Sequence, residues 1–131
     1  MIVADTHIII WEALSPEKIS KKAKAAIMEA NENGGIIFCD ISLWEITMLM
    51  NRNRVKVDAS YKEFINLLLS SNNYVLQGID PDIADLSTKI FNNTENDPAD
   101  KLIAATAVIK KASLVTADRT MRSSSEVATI W

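Results

Sequence analysis

The stretch DPADKLIAATAVIKKASLVTAD, residues 97–118, decides how this chain is read. It holds a helix and a strand back to back, with carboxylates at both ends. Asp97 suits the N-cap, Pro98 the first helical position, and Asp100 the third, where the helix dipole favours negative charge. The helix is expected to run to about Lys111. SLVTAD (113–118) then reads as a buried strand closed by Asp118. Capping alone would explain Asp97 and Asp100, so the rest of the chain must decide whether they do more.

The same alternation extends in both directions. IVAD (2–5) is a short apolar strand ending in a carboxylate, and Thr6 to about Leu14 reads as a short helix. SPEKISKKAKAAIMEANENGG predicts one long amphipathic helix, capped by Ser15, begun by Pro16 and stopped by Gly34 and Gly35. IIFCD (36–40) is a second strand. Ser42 is expected to open a helix to about Asn51, and Asp58 or Ser60 another. YVLQG (74–78) is a third strand, Asp80 and Pro81 start a helix to about Asn92, and VATI (127–130) offers a fifth strand. Continuous apolar strands separated by helices predict an α/β fold whose parallel sheet is covered on both faces. Ligands of such sheets sit beyond the carboxyl ends of the strands.

The totals set bounds. With 131 residues, 48% hydrophobic and 24% charged, the chain is expected to form a single domain, 1–131, with its own core. No apolar run has membrane-span length, and MIVADTH carries neither a basic segment nor a cleavage pattern, so a cytoplasmic protein is expected. The single Cys39 excludes an internal disulfide and a cysteine metal cluster; it reads as an inert buried thiol. Seventeen acidic against 14 basic side chains give a net charge of −3. Bulk charge alone would not grip nucleic acid, so a phosphate substrate would need a local basic patch or a bound cation.

Four carboxylates fall where a ligand would sit. Asp5 ends the first strand, Glu45 follows the second by one helical turn, Asp100 lies in the helix before the fourth strand, and Asp118 ends that strand. They share one sheet edge if the first and fourth strands are neighbours. Asp97 can join as an outer member. Each also has a structural explanation: Asp5 and Asp118 can cap the helices that follow, and Ser42 with Glu45 has the spacing of a capping box. Converging carboxylates repel one another unless a cation neutralises them. An all-oxygen donor set suits Mg²⁺ or Mn²⁺ and points to metal-assisted hydrolysis of a phosphate ester.

With these residues in view, DTHIIIW (5–11), ISLWEI (41–46), DPADKLIAATA (97–107) and LVTAD (114–118) resemble PIN-domain ribonucleases, most of all the VapC-type toxins of toxin–antitoxin pairs. The resemblance covers essentially the whole chain. It implies a three-layer α/β/α sandwich with strand order 3-2-1-4-5. It also implies a Mg²⁺- or Mn²⁺-dependent endoribonuclease, toxic until a cognate antitoxin covers its site. Asp5, Glu45 and Asp100 match the family's principal acidic positions, Asp118 the fourth, and Asp97 the first Asp of its D-P-x-D stretch. Family members often carry a basic residue before that stretch and Arg after it, where this chain has TEN (94–96) and Lys101.

The expected mechanism is metal-assisted attack of water on an RNA phosphodiester, leaving 5′-phosphate and 3′-hydroxyl ends. Thr6 and Thr116 lie beside the acidic groups and can orient them or pack at strand ends. His7 needs no catalytic role, because water on a metal requires no separate base. Arg119 and Arg122 are candidates for substrate phosphates, as are Arg52, Arg54 and Lys56; a solvated charged face is the plain alternative. LWEITMLM (43–50) is apolar around much of its helix and can offer a groove to a partner helix; the resemblance adds a homodimer. The rival readings are a catalytically inactive PIN-like binding module and an aspartate-dependent phosphatase. The latter wants a second Asp two residues after Asp5, where His7 stands.

Overall fold

Alternation along each strand divides the molecule into layers. The computed structural model describes residues 1–92 and 96–131; of the TEN segment, Thr94 and Glu95 lie outside them. Strands β1 (Ile2–Ala4), β2 (Ile36–Cys39), β3 (Tyr74–Gln77), β4 (Ser113–Val115) and β5 (Thr129–Ile130) form one parallel sheet of order β3-β2-β1-β4-β5. Ile2, Ala4, Ile36, Phe38 and Val115 point into one core, whereas Val3, Ile37, Cys39 and Leu114 point into a second. Both faces are therefore buried at β1, β2 and β4, as their unbroken apolar runs require.

Helices α1 (Thr6–Leu14), α2 (Lys21–Glu32) and α4 (Tyr61–Ser71) cover the first face, joined by Ile46 of α3 (Asp40–Asn51). The second face is covered by α6 (Pro98–Ile109) and α7 (Arg119–Ser123), with α5 (Pro81–Ser87) packed on α6. The order reverses at β1, with β2 on one side and β4 on the other. Among the described residues no helix is long and apolar enough to cross a membrane.

Three local expectations are corrected. The long helix from Pro16 is split: a 3₁₀ turn (Pro16–Lys18) ends at Ile19, and Ser20 caps α2 by accepting the Ala23 amide at 3.1 Å. The extended Ile19 buries its side chain in the core, and Ser20 competes with the helix for its own backbone, as serine does at helix starts. The helix from Pro81 ends at Ser87 rather than near Asn92. There Ser87 and Thr88 hydroxyls bond back to Ala84 and Asp85 carbonyls, and Phe91 turns to φ 57° to bury its ring. Finally, β3 is an edge strand whose Val75 and Leu76 are 40% and 49% exposed, so its apolar run does not mark a covered strand.

Candidate active site

Neighbouring strands bring the first two carboxylates together. Ala4 pairs with Val115, so the chain leaving β1 lies beside the chain leaving β4. The Asp5 amide donates to the Val115 carbonyl at 3.1 Å, and the Thr116 hydroxyl donates to Asp5 Oδ2 at 2.8 Å. That same hydroxyl accepts the Asp118 amide at 3.1 Å, so one threonine ties both aspartates to the strand ends. Asp5 holds the N-cap position of α1, yet its side chain makes no capping bond. Its carboxyl is buried, and burial pushes its pKa above the usual range. The Thr116 hydrogen bond and His7 oppose that shift, while Asp118 adds to it. Asp118 does cap α7, accepting the Met121 amide at 2.9 Å.

Glu45 is held differently. Helix α3 begins at Asp40, directly after β2, so Ser42 is interior to the helix and does not cap it. The expected capping box is absent. Thr6 donates to Glu45 Oε1 at 2.5 Å and lies 2.8 Å from Ser42 Oγ. A hydroxyl has one proton, so Ser42 donates to Thr6 and Thr6 to Glu45. All three side chains are buried. Burial raises the Glu45 pKa most; the Thr6 hydrogen bond and His7 lower it, and the Asp97 and Asp5 charges raise it.

Asp97 caps α6 as expected, accepting the Asp100 amide at 2.8 Å. Asp100 is half-buried, and its pKa is pushed up to about 7, first by burial and then by Asp5, Asp97, Asp118 and Glu45. The dipole of α6 favours the charged form by only about 0.3–1 kcal/mol, too little to offset burial and four carboxylates. Asp100 thus feels the charges of Asp5, Asp97, Asp118 and Glu45, and Glu45 those of Asp97 and Asp5.

Among the described residues no three His, Cys, Asp or Glu side chains close around a common point as a metal cage. A hard ion that keeps several waters needs only one or two direct carboxylates. An all-oxygen set of mutually repelling carboxylates, two of them held by hydroxyls, fits Mg²⁺ or Mn²⁺. Zinc-type ligation has no support here: Cys39 is buried with its pKa raised to about 12 by burial.

Of the remaining expectations, Arg119 begins α7 immediately after Asp118, and both Arg119 and Arg122 are exposed. Arg52, Arg54 and Lys56 are exposed beyond the end of α3. Trp44 is 57% exposed on α3, while Met48 and Met50 are half-buried. Ser42, expected at the helix start, belongs instead to the support of Glu45; a spacing of three between them fits either role.

Comparison with known proteins places this architecture. The family model of the PIN domain matches residues 2–126. The chain is 30% identical over 122 residues to Ribonuclease VapC22 of Mycobacterium tuberculosis (strain ATCC 25618 / H37Rv), covering 93% of this chain and 90% of that protein. Among solved structures it resembles VapBC2 from Rickettsia felis bound to a DNA fragment from their promoter, with TM-score 0.72, 16% identity and coverage of 98% and 97% of the two chains. It also resembles a toxin–antitoxin complex from Klebsiella pneumoniae, with TM-score 0.66, 19% identity and the same coverage. FitAcB from Neisseria gonorrhoeae follows at TM-score 0.63 and 20% identity, over 98% and 96% of the chains. These structural likenesses speak to the fold, and the family model spans the strands and helices that carry all five acidic positions. The chain belongs to the PIN-domain family.

Proposed function

We propose that this chain, as one domain over residues 1–131, is a divalent-metal-dependent endoribonuclease, the toxin of a toxin–antitoxin pair acting on cytoplasmic RNA. The observation that carries the reading is the pair of hydroxyl-held carboxylates at the strand ends, Asp5 on Thr116 and Glu45 on Thr6, with Asp118 tied to the same Thr116 and Asp100 raised to about 7 by burial first and by the other carboxylates second. The similarity to Ribonuclease VapC22 supports RNA as the substrate.

Asp5, Glu45, Asp100 and Asp118 would hold Mg²⁺ or Mn²⁺, which when bound supplies charge neutralisation and an activated water at the phosphodiester. The chain's own residues fix where this happens. Thr116 holds Asp5 and anchors the Asp118 backbone. Ser42 and Thr6 hold Glu45. Asp97 sets the first turn of α6 and with it the position of Asp100. Arg119 and Arg122 stand on the adjacent helix as cationic contacts for substrate phosphates. An antitoxin and a second copy of the chain are the proposed partners. An apolar cleft of about 430 Å³ lined by Leu14, Val57, Phe64 and Leu67 supports an apolar protein contact.

The test is cleavage of a mixed structured RNA pool by wild type and Asp5→Asn with Mg²⁺, Mn²⁺ or EDTA. Metal-dependent cleavage lost in the variant, leaving 5′-phosphate and 3′-hydroxyl ends, is the expected result. A cyclic phosphate product, or cleavage unaffected by EDTA, would overturn the mechanism. A wild type that binds metal but cleaves no RNA would favour the inactive binding module.

A further inference from the structure

A cleft lined by none of the acidic residues runs along the two helices that carry or follow Asp5 and Glu45. His7, Ile10, Trp11 and Leu14 recur along one stripe of α1, starting two residues after Asp5, and form one wall. The other wall belongs to the helix of Glu45: Leu49 lies one turn beyond it, and Arg54 and Lys56 follow the helix end. His7, at the head of the first wall, acts electrostatically on both Asp5 and Glu45, which ties this end of the cleft to the carboxylates. The cleft holds about 490 Å³, and the stripe from His7 to Leu14 rises about 10 Å. That is room for a short single strand and far too little for a duplex.

Its charge runs against that of the molecule. The chain carries a net −3, yet Lys18, Arg54 and Lys56 line the cleft, and among the described residues no acidic side chain does. None of the three is ion-paired with a carboxylate among those residues. The Lys18 ammonium lies over the Trp11 ring, 5.7 Å from its centroid, so it is held in place without being neutralised. Trp11 is itself set by His7 and Trp131, at ring separations of 6.0 and 6.2 Å. Unneutralised cations beside a fixed aromatic wall fit a single-stranded polyanion that carries flat bases.

We infer that this cleft between α1 and the end of α3 is a subsite for the single-stranded RNA flanking the scissile phosphodiester, with Lys18, Arg54 and Lys56 meeting phosphates and Trp11 meeting a base. RNA as the polyanion rests on the ribonuclease reading above; the cleft itself rests on its walls and charge.

Binding of a labelled single-stranded RNA by fluorescence anisotropy, in EDTA so that no cleavage intervenes, tests it across a salt series. Arg54→Ala/Lys56→Ala should weaken binding about tenfold and flatten the slope of log K against log salt by about 1.4, the value for two lost single-strand phosphate contacts. Trp11→Ala should weaken binding with the slope unchanged. Lys110→Ala/Lys111→Ala, past the opposite end of α6, is the control and should leave affinity within about twofold. Equal losses in both double variants, no loss in the cleft variant, or no RNA binding by wild type at low salt would each overturn the inference. So would poly-glutamate competing as well as RNA, which would assign the cleft to an acidic polypeptide. A protein that binds through the cleft yet never cleaves would overturn the nuclease reading and leave the subsite standing.

Discussion

Asp5 and Asp118 occupy equivalent places in two parallel strands and are used in opposite ways. Each follows a strand, each takes the N-cap position of the next helix, and each has φ −64°. Asp118 spends one carboxylate oxygen on the Met121 amide. Asp5 makes no side-chain cap: its backbone carbonyl accepts from Ile8 and Ile9 at 3.0 and 3.2 Å, and its carboxylate takes the Thr116 hydroxyl and the adjacent Thr6 amide. A side-chain cap contributes about 0.5–2 kcal/mol. Asp5 forgoes that and is buried as well, which disfavours its charged form. On the proposed reading, Asp5 is the member kept for a ligand and Asp118 one shared between structure and site.

The largest effect should separate the two outright. Asp5→Asn is expected to reduce cleavage roughly 10³-fold or more, the scale of losing a principal electrostatic group, while leaving the thermal midpoint unchanged or higher. Measured cleavage within tenfold of wild type would remove Asp5 from the centre of the site. Thr6→Val comes next: it strips Glu45 of its donor and leaves a buried carboxylate short of a partner, at about 1–3 kcal/mol. Cleavage should fall about tenfold, and Thr6→Ser, which keeps the hydroxyl, should restore it.

Acidity offers a further test in the metal-free protein. Asp100 is raised from 3.8 to about 7, so the folded state holds a proton that the unfolded chain releases. The stabilisation is complete below about pH 4 and is lost as pH rises through about 7. Thermal melts in EDTA should show this as a decline between those values that Asp100→Asn flattens, and added Mg²⁺ should reverse it at the alkaline end. A melting temperature in EDTA insensitive to Asp100→Asn across that window would contradict the crowding of carboxylates. The smallest effect is on stability: Asp118→Ala should cost about 1 kcal/mol through the lost cap, or about 4 °C. The same substitution at Asp5 should show no such cap loss, and an equal drop at both would erase the contrast.

Much of this was legible in the chain because the signals are local. Asp97-Pro98 announces a helix start in any context, and IIFC announces a buried strand. The misreadings came where two local rules compete. Ser15-Pro16 and Ser20 both start helices, and the need to bury Ile19 decided between them. Ser42 with Glu45 has capping-box spacing, but α3 begins earlier, at the end of β2, so Ser42 faces Thr6 instead. YVLQG is as apolar as its neighbours, and only its place at the sheet edge leaves Val75 and Leu76 exposed.

The sequence by itself determined the alternation of strands and helices and the carboxylates beside β1, β2 and β4, because apolar runs and helix-start residues act over a few positions. Tertiary structure decided which hydroxyl holds which carboxylate. Thr116 and Asp5 are 111 residues apart, and Thr6 and Glu45 are 39 apart. Such bonds exist only once β1 lies between β2 and β4, a choice made by burial of both sheet faces together.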